Sequence, residues 1–346
     1  MKIGLTLGPW DGMTPPPIER IQLAERLGYD SVWTAETYGA DCMTPLAFIA
    51  AHTQRLNLGT NIAQLDARTP ANLAMCAMSI DALAGGGRMQ LGIGVSGPQI
   101  VEGWYGRPWG KPNRRLRDVV AILRQIFRRQ GHVTHEGAEI SLPYSGPGES
   151  GMARPLKSVM RATPNLPILL GADTPLNVRL AGEVADGWLG FHLVPATVGR
   201  YRALIAEGIA KRSDGMTLDR FEIRGMVGVK LGDDVQALIN EPKPHIALFA
   251  GGMGARTMNF HKDAMVKRGY GEAADRIQEL FLAGRRAEAA AAVPDEYVEE
   301  EWLIGPPARI RQRFRPWADS GISALTVRIG PPEVIELMAE LARETQ

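Results

Sequence analysis

The chain has 346 residues, 45% of them apolar, and a formal charge of +1. It can therefore bury a large core, has no compositional reason to be disordered, and lacks the basic field that nucleic-acid binding requires. Cys42 and Cys76 are its only thiols, which excludes a disulfide framework and a cysteine-based metal site.

In chain order, residues 3–7 read as a short apolar strand ending at Gly8-Pro9, and 18–27 as a helix closed by Gly28. A second strand spans 30–34, a helix 45–53 and a third strand 56–64; Pro70 then opens a helix running to about Leu83. Further strands fall at 89–95, 167–171, 186–190, 221–231 and 324–329, with helices over 175–184 and from 332. Eight apolar strands alternating with helices predict a parallel sheet covered by helices, and the count favours a (β/α)8 TIM barrel over an open sheet. One domain over 1–346 is expected. Three stretches interrupt the rhythm and read as insertions, about 96–114, 131–167 and 242–307. The second holds a hairpin around Glu136-Gly137, and the third is mainly helical. No leader-like start or bilayer-length apolar run is present, so a cytoplasmic protein with no membrane partner is expected.

Active sites on this architecture lie at the carboxyl ends of the strands. Gly92-Ile93-Gly94-Val95-Ser96-Gly97 is formally a dinucleotide fingerprint, but the Pro- and Gly-rich sequence after it leaves no helix to receive a pyrophosphate. It reads either as a sharp turn or as backbone lying close to a flat ligand. Gly171-Ala172-Asp173-Thr174, before Pro175, either caps a helix or offers free N–H groups to a phosphate. Glu36, just past the second strand, is either a solvated loop acid or a carboxylate at the site. Thr60-Asn61-Ile62, at the end of the third strand, carries no signal on its own. Six histidines form no HExxH pattern, and no metal site is expected. His192, Trp104, Tyr105, Trp109 and Phe191 either line a pocket or serve only as a packed or solvent-facing histidine and aromatics that pin their loops.

The order and spacing of several segments make the sequence resemble the luciferase-like oxidoreductases, specifically their branch dependent on the deazaflavin coenzyme F420. These segments are Asp30-Ser31-Val32-Trp33-Thr34-Ala35-Glu36, Thr69-Pro70-Ala71, the run from Leu91 to Gln99 with Glu102-Gly103-Trp104, and Ala185-Asp186-Gly187-Trp188. The resemblance implies a bacterial-luciferase-like barrel with the deazaflavin across its mouth. It places a bulged third strand with a non-proline cis peptide at Asn61-Ile62. It further implies coenzyme contacts from Thr60, Asn61 and Ile62, from Gly94, Val95, Ser96, Gly97 and Gln99, and a phosphate at Gly171, Ala172, Asp173 and Thr174. Glu36 becomes the catalytic candidate nearest the reacting centre. Arg154 and Lys157 are candidates for meeting the coenzyme's anionic tail.

Thr37 and Pro98 stand where the sugar-phosphate dehydrogenases of this branch carry a histidine and a glutamate, which speaks against sugar-phosphate oxidation. The expected chemistry is hydride transfer between the deazaflavin and a small organic substrate in a homo-oligomer, a dimer. Two alternatives remain: a monooxygenase using reduced FMN, and a protein that binds F420 without turnover.

Overall fold

A computed structural model describes residues 1–9, 12–161 and 163–345. The described strands are β1 (Lys2–Pro9), β2 (Ser31–Ala35), β3 (Asn57–Thr60), β4 (Ala63–Gln64), β5 (Met89–Gly94), β6 (His135–Glu136), β7 (Ser141–Leu142), β8 (Ile168–Gly171), β9 (Gly187–Leu189), β10 (Glu222–Leu231), β11 (Trp302–Gly305) and β12 (Ala324–Arg328). Contacts group the chain into two compact units. Among the described residues, no helix is long and apolar enough to cross a membrane.

The unit comprising residues 4–189 and 201–223 carries a parallel sheet in the order β1-β2-β3-β5-β8-β9, with β4 also on β5. Its strands are buried apolar runs, as expected where both faces of a parallel sheet are covered. Trp33 on β2 lies across β3, where a Cβ on Gly59 would come within 2.2 Å of the indole. A Cβ on Gly92 would fall 1.9 Å from the Thr60 carbonyl oxygen. These two glycines are what let β2, β3 and β5 approach one another. The Thr60 hydroxyl locks the contact by donating to the Gly92 carbonyl and accepting from the Gly92 N–H, at 2.7 and 2.9 Å.

The β6–β7 hairpin is held by Asp118, whose carboxylate accepts from the N–H groups of Glu139 and Ile140. Helices Pro70–Leu83 and Pro175–Val184 both start with proline in the first turn after a threonine cap, Thr69 or Thr174.

Three local expectations change. The helix expected from residue 45 begins two residues earlier, at Met43, because the Asp41 carboxylate accepts from the N–H groups of Met43 and Thr44 and caps an earlier turn. The third strand is split into β3 and β4. After the β5 turn, where glycines and prolines predict no helix, a six-residue helix Pro98–Gly103 forms with Pro98 in its first turn.

The other unit comprises residues 1–3, 190–200 and 224–346. Within this unit its ten-residue strand β10 runs parallel to two others: Arg224–Val227 pair with Ala324–Val327 of β12, and Gly228–Leu231 with Trp302–Gly305 of β11. β11 is a strand that residue patterning does not reveal; it fits because Gly228 leaves space for the Trp302 ring, which a Cβ would approach to 2.1 Å. Between β10 and β11 run helices Val235–Asn240, Lys243–Gly252, Phe260–Lys267, Gly271–Leu282, Arg286–Ala291 and Asp295–Glu301. They share an apolar cluster that includes Ile246, Met265, Ile277, Leu280, Val298 and Ile304.

Helix Pro175–Val184 meets helix Val198–Ile209 through Gly182 and Gly208, where added Cβ atoms would lie 2.2 Å from the Ile205 carbonyl oxygen and 2.0 Å from that of Arg179. Backbone cannot yield as a flexible side chain does. Gly208→Ala is therefore expected to destabilise the protein by about 1–3 kcal/mol as an overpacked contact, measured by urea unfolding. Wild-type stability would show that the helices separate freely.

Candidate functional site

Parallel register sets the ends of neighbouring strands in a row. Gln64 lies beside Gly94, Gly94 beside Gly171, and Gly171 beside Leu189. On the far side, Thr34 lies beside Thr60. The Ile62 side chain occupies the space that Cβ atoms at the two glycines would need: one on Gly94 would stand 3.1 Å from its Cδ1, and one on Gly171 2.6 Å from its Cγ2. Ile62 packs on Trp33, Leu169 and Leu189. The peptide between Asn61 and Ile62 is cis and coincides with the break between β3 and β4. The Asn61 N–H donates to the Thr34 carbonyl at 2.7 Å.

Beyond β5 the chain turns through Ser96 at φ +57°, a left-handed conformation that costs a non-glycine residue about 1–2 kcal/mol. Gly97 then precedes helix Pro98–Gly103. Among the described residues, no hydrogen bond takes up the N–H groups of Ser96 and Gly97 or the side-chain amide of Asn61. Beyond β8, Gly171, Ala172 and Asp173 lead to Thr174, which caps helix Pro175–Val184 by accepting from the Asn177 N–H at a long 3.4 Å. The indole N–H of Trp188 donates to the Ala172 carbonyl at 2.7 Å and fixes this turn. The first turn of a ten-residue helix is electropositive and suited to an anion.

Glu36 is buried and fully engaged. Its two carboxylate oxygens accept from Arg68, Oε2 from Nη1 at 2.9 Å and Oε1 from Nη2 at 2.8 Å, and Oε2 also accepts from the Gln64 N–H at 3.0 Å. Burial works against the Arg68 charge, but the Glu36 carboxylate outweighs it and holds the guanidinium firmly protonated. The Gln64 side chain extends the network: its amide donates to the Val95 carbonyl at 3.3 Å, and its oxygen accepts from the Asp66 N–H at 2.5 Å. Asp66 in turn pairs with Arg115 at 3.0 Å. Burial raises the Asp66 carboxyl above its ordinary range, and Arg115 offsets only part of that rise.

The other unit holds a second polar cluster. His192 Nδ1 lies 3.2 Å from Glu301 Oε1, His192 Nε2 lies 2.8 Å from His261 Nδ1, and Arg268 pairs with both Glu300 and Glu301. Burial opposes the Glu301 charge, yet His192 and Arg268 bring its carboxyl down to about 2. Burial, reinforced by His192, takes His261 down to about 3, so its imidazole is neutral at physiological pH. These groups line a pocket together with Phe191, Phe249, Tyr297, Trp302 and Arg328.

Of the aromatic residues singled out from the sequence, Phe191 joins this pocket. Trp104 is 62% exposed, and the Tyr105 hydroxyl instead donates to the Thr37 carbonyl at 3.2 Å. Arg154 and Lys157 are exposed. Sequence reasoning did not identify Gln64, Arg68, Asp66, Arg115, His261 or Glu301. The available signal for Arg68 was that an acid at the end of β2 faces whatever follows the adjacent third strand.

The sequence profile of the luciferase-like monooxygenase family matches residues 16–324. A protein of Mycobacterium tuberculosis (strain ATCC 25618 / H37Rv), provisionally named a coenzyme F420-dependent oxidoreductase, is 41% identical over 346 residues, covering 99% of each chain. The coenzyme F420-dependent tetrahydromethanopterin reductase of Methanopyrus kandleri superposes with a TM-score of 0.80 at 22% identity, over 100% of this chain and 99% of that one. An F420-dependent secondary alcohol dehydrogenase bound to an F420–acetone adduct superposes with a TM-score of 0.76 at 14% identity, over 100% and 99%. The chain belongs to the luciferase-like monooxygenase family, and its fold class is the (β/α)8 barrel.

Removing one partner of a buried ion pair strands the other. Arg68→Met is expected to cost about 3–5 kcal/mol, and the double variant Glu36→Leu with Arg68→Met should cost less than that single change in chemical denaturation. A double variant as unstable as the sum of the singles would deny the pair. Glu301, whose folded carboxyl is depressed to about 2, adds stability that is complete above the ordinary carboxyl range and is lost as pH falls toward 2. Melting temperatures of Glu301→Gln between pH 7 and 2 should therefore show a shallower acid decline than wild type; parallel declines would rule that contribution out.

Proposed function

We propose that the protein is an F420-dependent oxidoreductase that transfers a hydride between the deazaflavin and a small organic substrate. The observation that carries this reading is a set of donors at one row of strand ends that no hydrogen bond among the described residues takes up: the Asn61 amide and the Ser96 and Gly97 N–H groups, beside Gly94 and Gly171. A flat heteroaromatic ring with carbonyl groups on its edge matches donors of this kind. The electropositive first turn after Thr174 suits the coenzyme's phosphate. The 41% identical relative supports the same coenzyme. These features fit the coenzyme, with Thr60, Asn61 and Ile62, the Gly94–Gly97 turn with Gln99, and residues 171–174 as its seat.

Bound there, the coenzyme supplies hydride chemistry at its own ring. The protein's part is orientation and electrostatics. Thr60 ties β3 to β5, Gln64 ties β4 to the Val95 carbonyl, and Ile62 fills the space behind Gly94 and Gly171. Glu36 is better suited to positioning than to proton relay, because both its oxygens already accept from Arg68 and one also from the Gln64 N–H.

Titration should show tighter binding of F420 than of FMN, whose phosphate carries no further anionic tail; equal or tighter FMN binding would overturn the coenzyme assignment. Glu36→Gln separates the two roles of that residue. A positioning role predicts weaker coenzyme binding together with slower single-turnover hydride transfer. Loss of a proton relay would slow turnover by about 10²–10⁴-fold with coenzyme affinity unchanged.

A further inference from the structure

We infer that the pocket among residues 190–200 and 224–346 is a binding subsite for an organic carboxylate, with Arg328 as its anchoring group. The inference deepens the proposed function by naming a ligand class, and its test needs no coenzyme, so either can fail without the other. The pocket is open to solvent at its mouth and offers about 40 Å³ of cavity volume, room for the carboxylate end of a small acid whose body lies toward the mouth. Arg328 ends β12 and stands over the Trp302 ring, 5.6 Å from its centroid. Among the described residues, no carboxylate pairs with this guanidinium and no hydrogen bond uses it.

The neighbouring acid is already committed. Glu301 lines the same pocket, but His192 and Arg268 occupy it, and Arg268 is shared further with Glu300. A guanidinium keeps its charge when buried, and a planar fork with no partner matches a carboxylate in two parallel hydrogen bonds. Burial pulls the Arg328 pKa below its ordinary value, as expected for a cation whose counter-ion is not supplied at contact distance.

The surrounding groups narrow the ligand further. His261 and His245 are both shifted toward the neutral form, chiefly by burial, and add no competing charge. Phe191 and Phe249 lie nearly parallel at 6.1 Å, and Met226 and Trp302 complete apolar walls. An inorganic anion would leave those walls wet. A carboxylate on an apolar or aromatic body satisfies the cation and the walls together.

The test is calorimetric titration of the coenzyme-free protein with benzoate, and with benzamide as a neutral probe of nearly equal shape. Benzoate is expected to bind, with benzamide at least about tenfold weaker. Arg328→Gln should weaken benzoate by about 10–100-fold, and Arg328→Lys, which keeps the charge without the fork, should fall between. Circular dichroism checks that both variants are folded, and the benzoate–benzamide comparison stands on the unaltered protein.

Equal affinity for the two probes, no benzoate binding, or wild-type benzoate affinity in folded Arg328→Gln overturns the proposal. A second titration identifies where the carboxylate comes from. If Arg328→Gln weakens F420 but not its tail-less deazaflavin fragment, the carboxylate belongs to the coenzyme tail; if it weakens neither while benzoate is lost, it belongs to the substrate.

Discussion

The paired contact of Arg68 with Glu36 organises the candidate coenzyme seat, because it makes a carboxylate tolerable at a buried strand end. With its charge balanced, Glu36 can accept the N–H of Gln64, which fixes where β4 resumes after the break in the third strand. Gln64 then uses both ends of its side chain, one on the Val95 carbonyl beyond β5 and one on the Asp66 N–H. Three successive strand ends are thus held by one ion pair and one amide. A buried pair of this kind is weak evidence for net stability, since desolvation consumes much of its attraction. Its value here is geometric: together with the β4–β5 pairing, it fixes the Gln64 backbone beside Gly94.

The glycines follow the same logic from the opposite side. Gly59 and Gly92 let β2, β3 and β5 close around Trp33 and the Thr60 carbonyl, whereas Gly94 and Gly171 make room for Ile62. Close strand packing below and an apolar plug above leave a surface edged by donors rather than by side-chain bulk. Ser96, held left-handed, turns the chain between β5 and helix Pro98–Gly103.

Much of this was legible in the residues. Eight apolar runs separated by helical spacing marked the parallel strands, and Pro70, Pro175 and Pro332 marked helix starts because their missing N–H costs nothing there. The turn at 94–97 and the turn at 171–174 were visible as strand ends. The cis peptide at Asn61-Ile62 was expected from resemblance alone. What stayed hidden was pairing across distance. Arg68 sits in a polar stretch, 32 residues from Glu36, and nothing local distinguishes it from a solvated arginine. Glu301 closes the acidic helix Asp295–Glu301 and looks like part of a wet face until His192 and Arg268 arrive from elsewhere in the chain. β11 was missed for a related reason: its fit depends on Gly228 accommodating a tryptophan ring more than seventy residues away.

The helices between β10 and β11 share an apolar cluster of their own. A segment that buries its side chains mainly against itself gains and loses most of its contacts together, so it behaves as one cooperative unit in local opening. Its amides would exchange with solvent at a common rate set by that opening, rather than each by its own depth of burial. His261 and Glu301 both belong to helices of this segment. The pocket they help form is therefore assembled or dissolved by the same event, and whatever occupies it would slow exchange throughout all six helices.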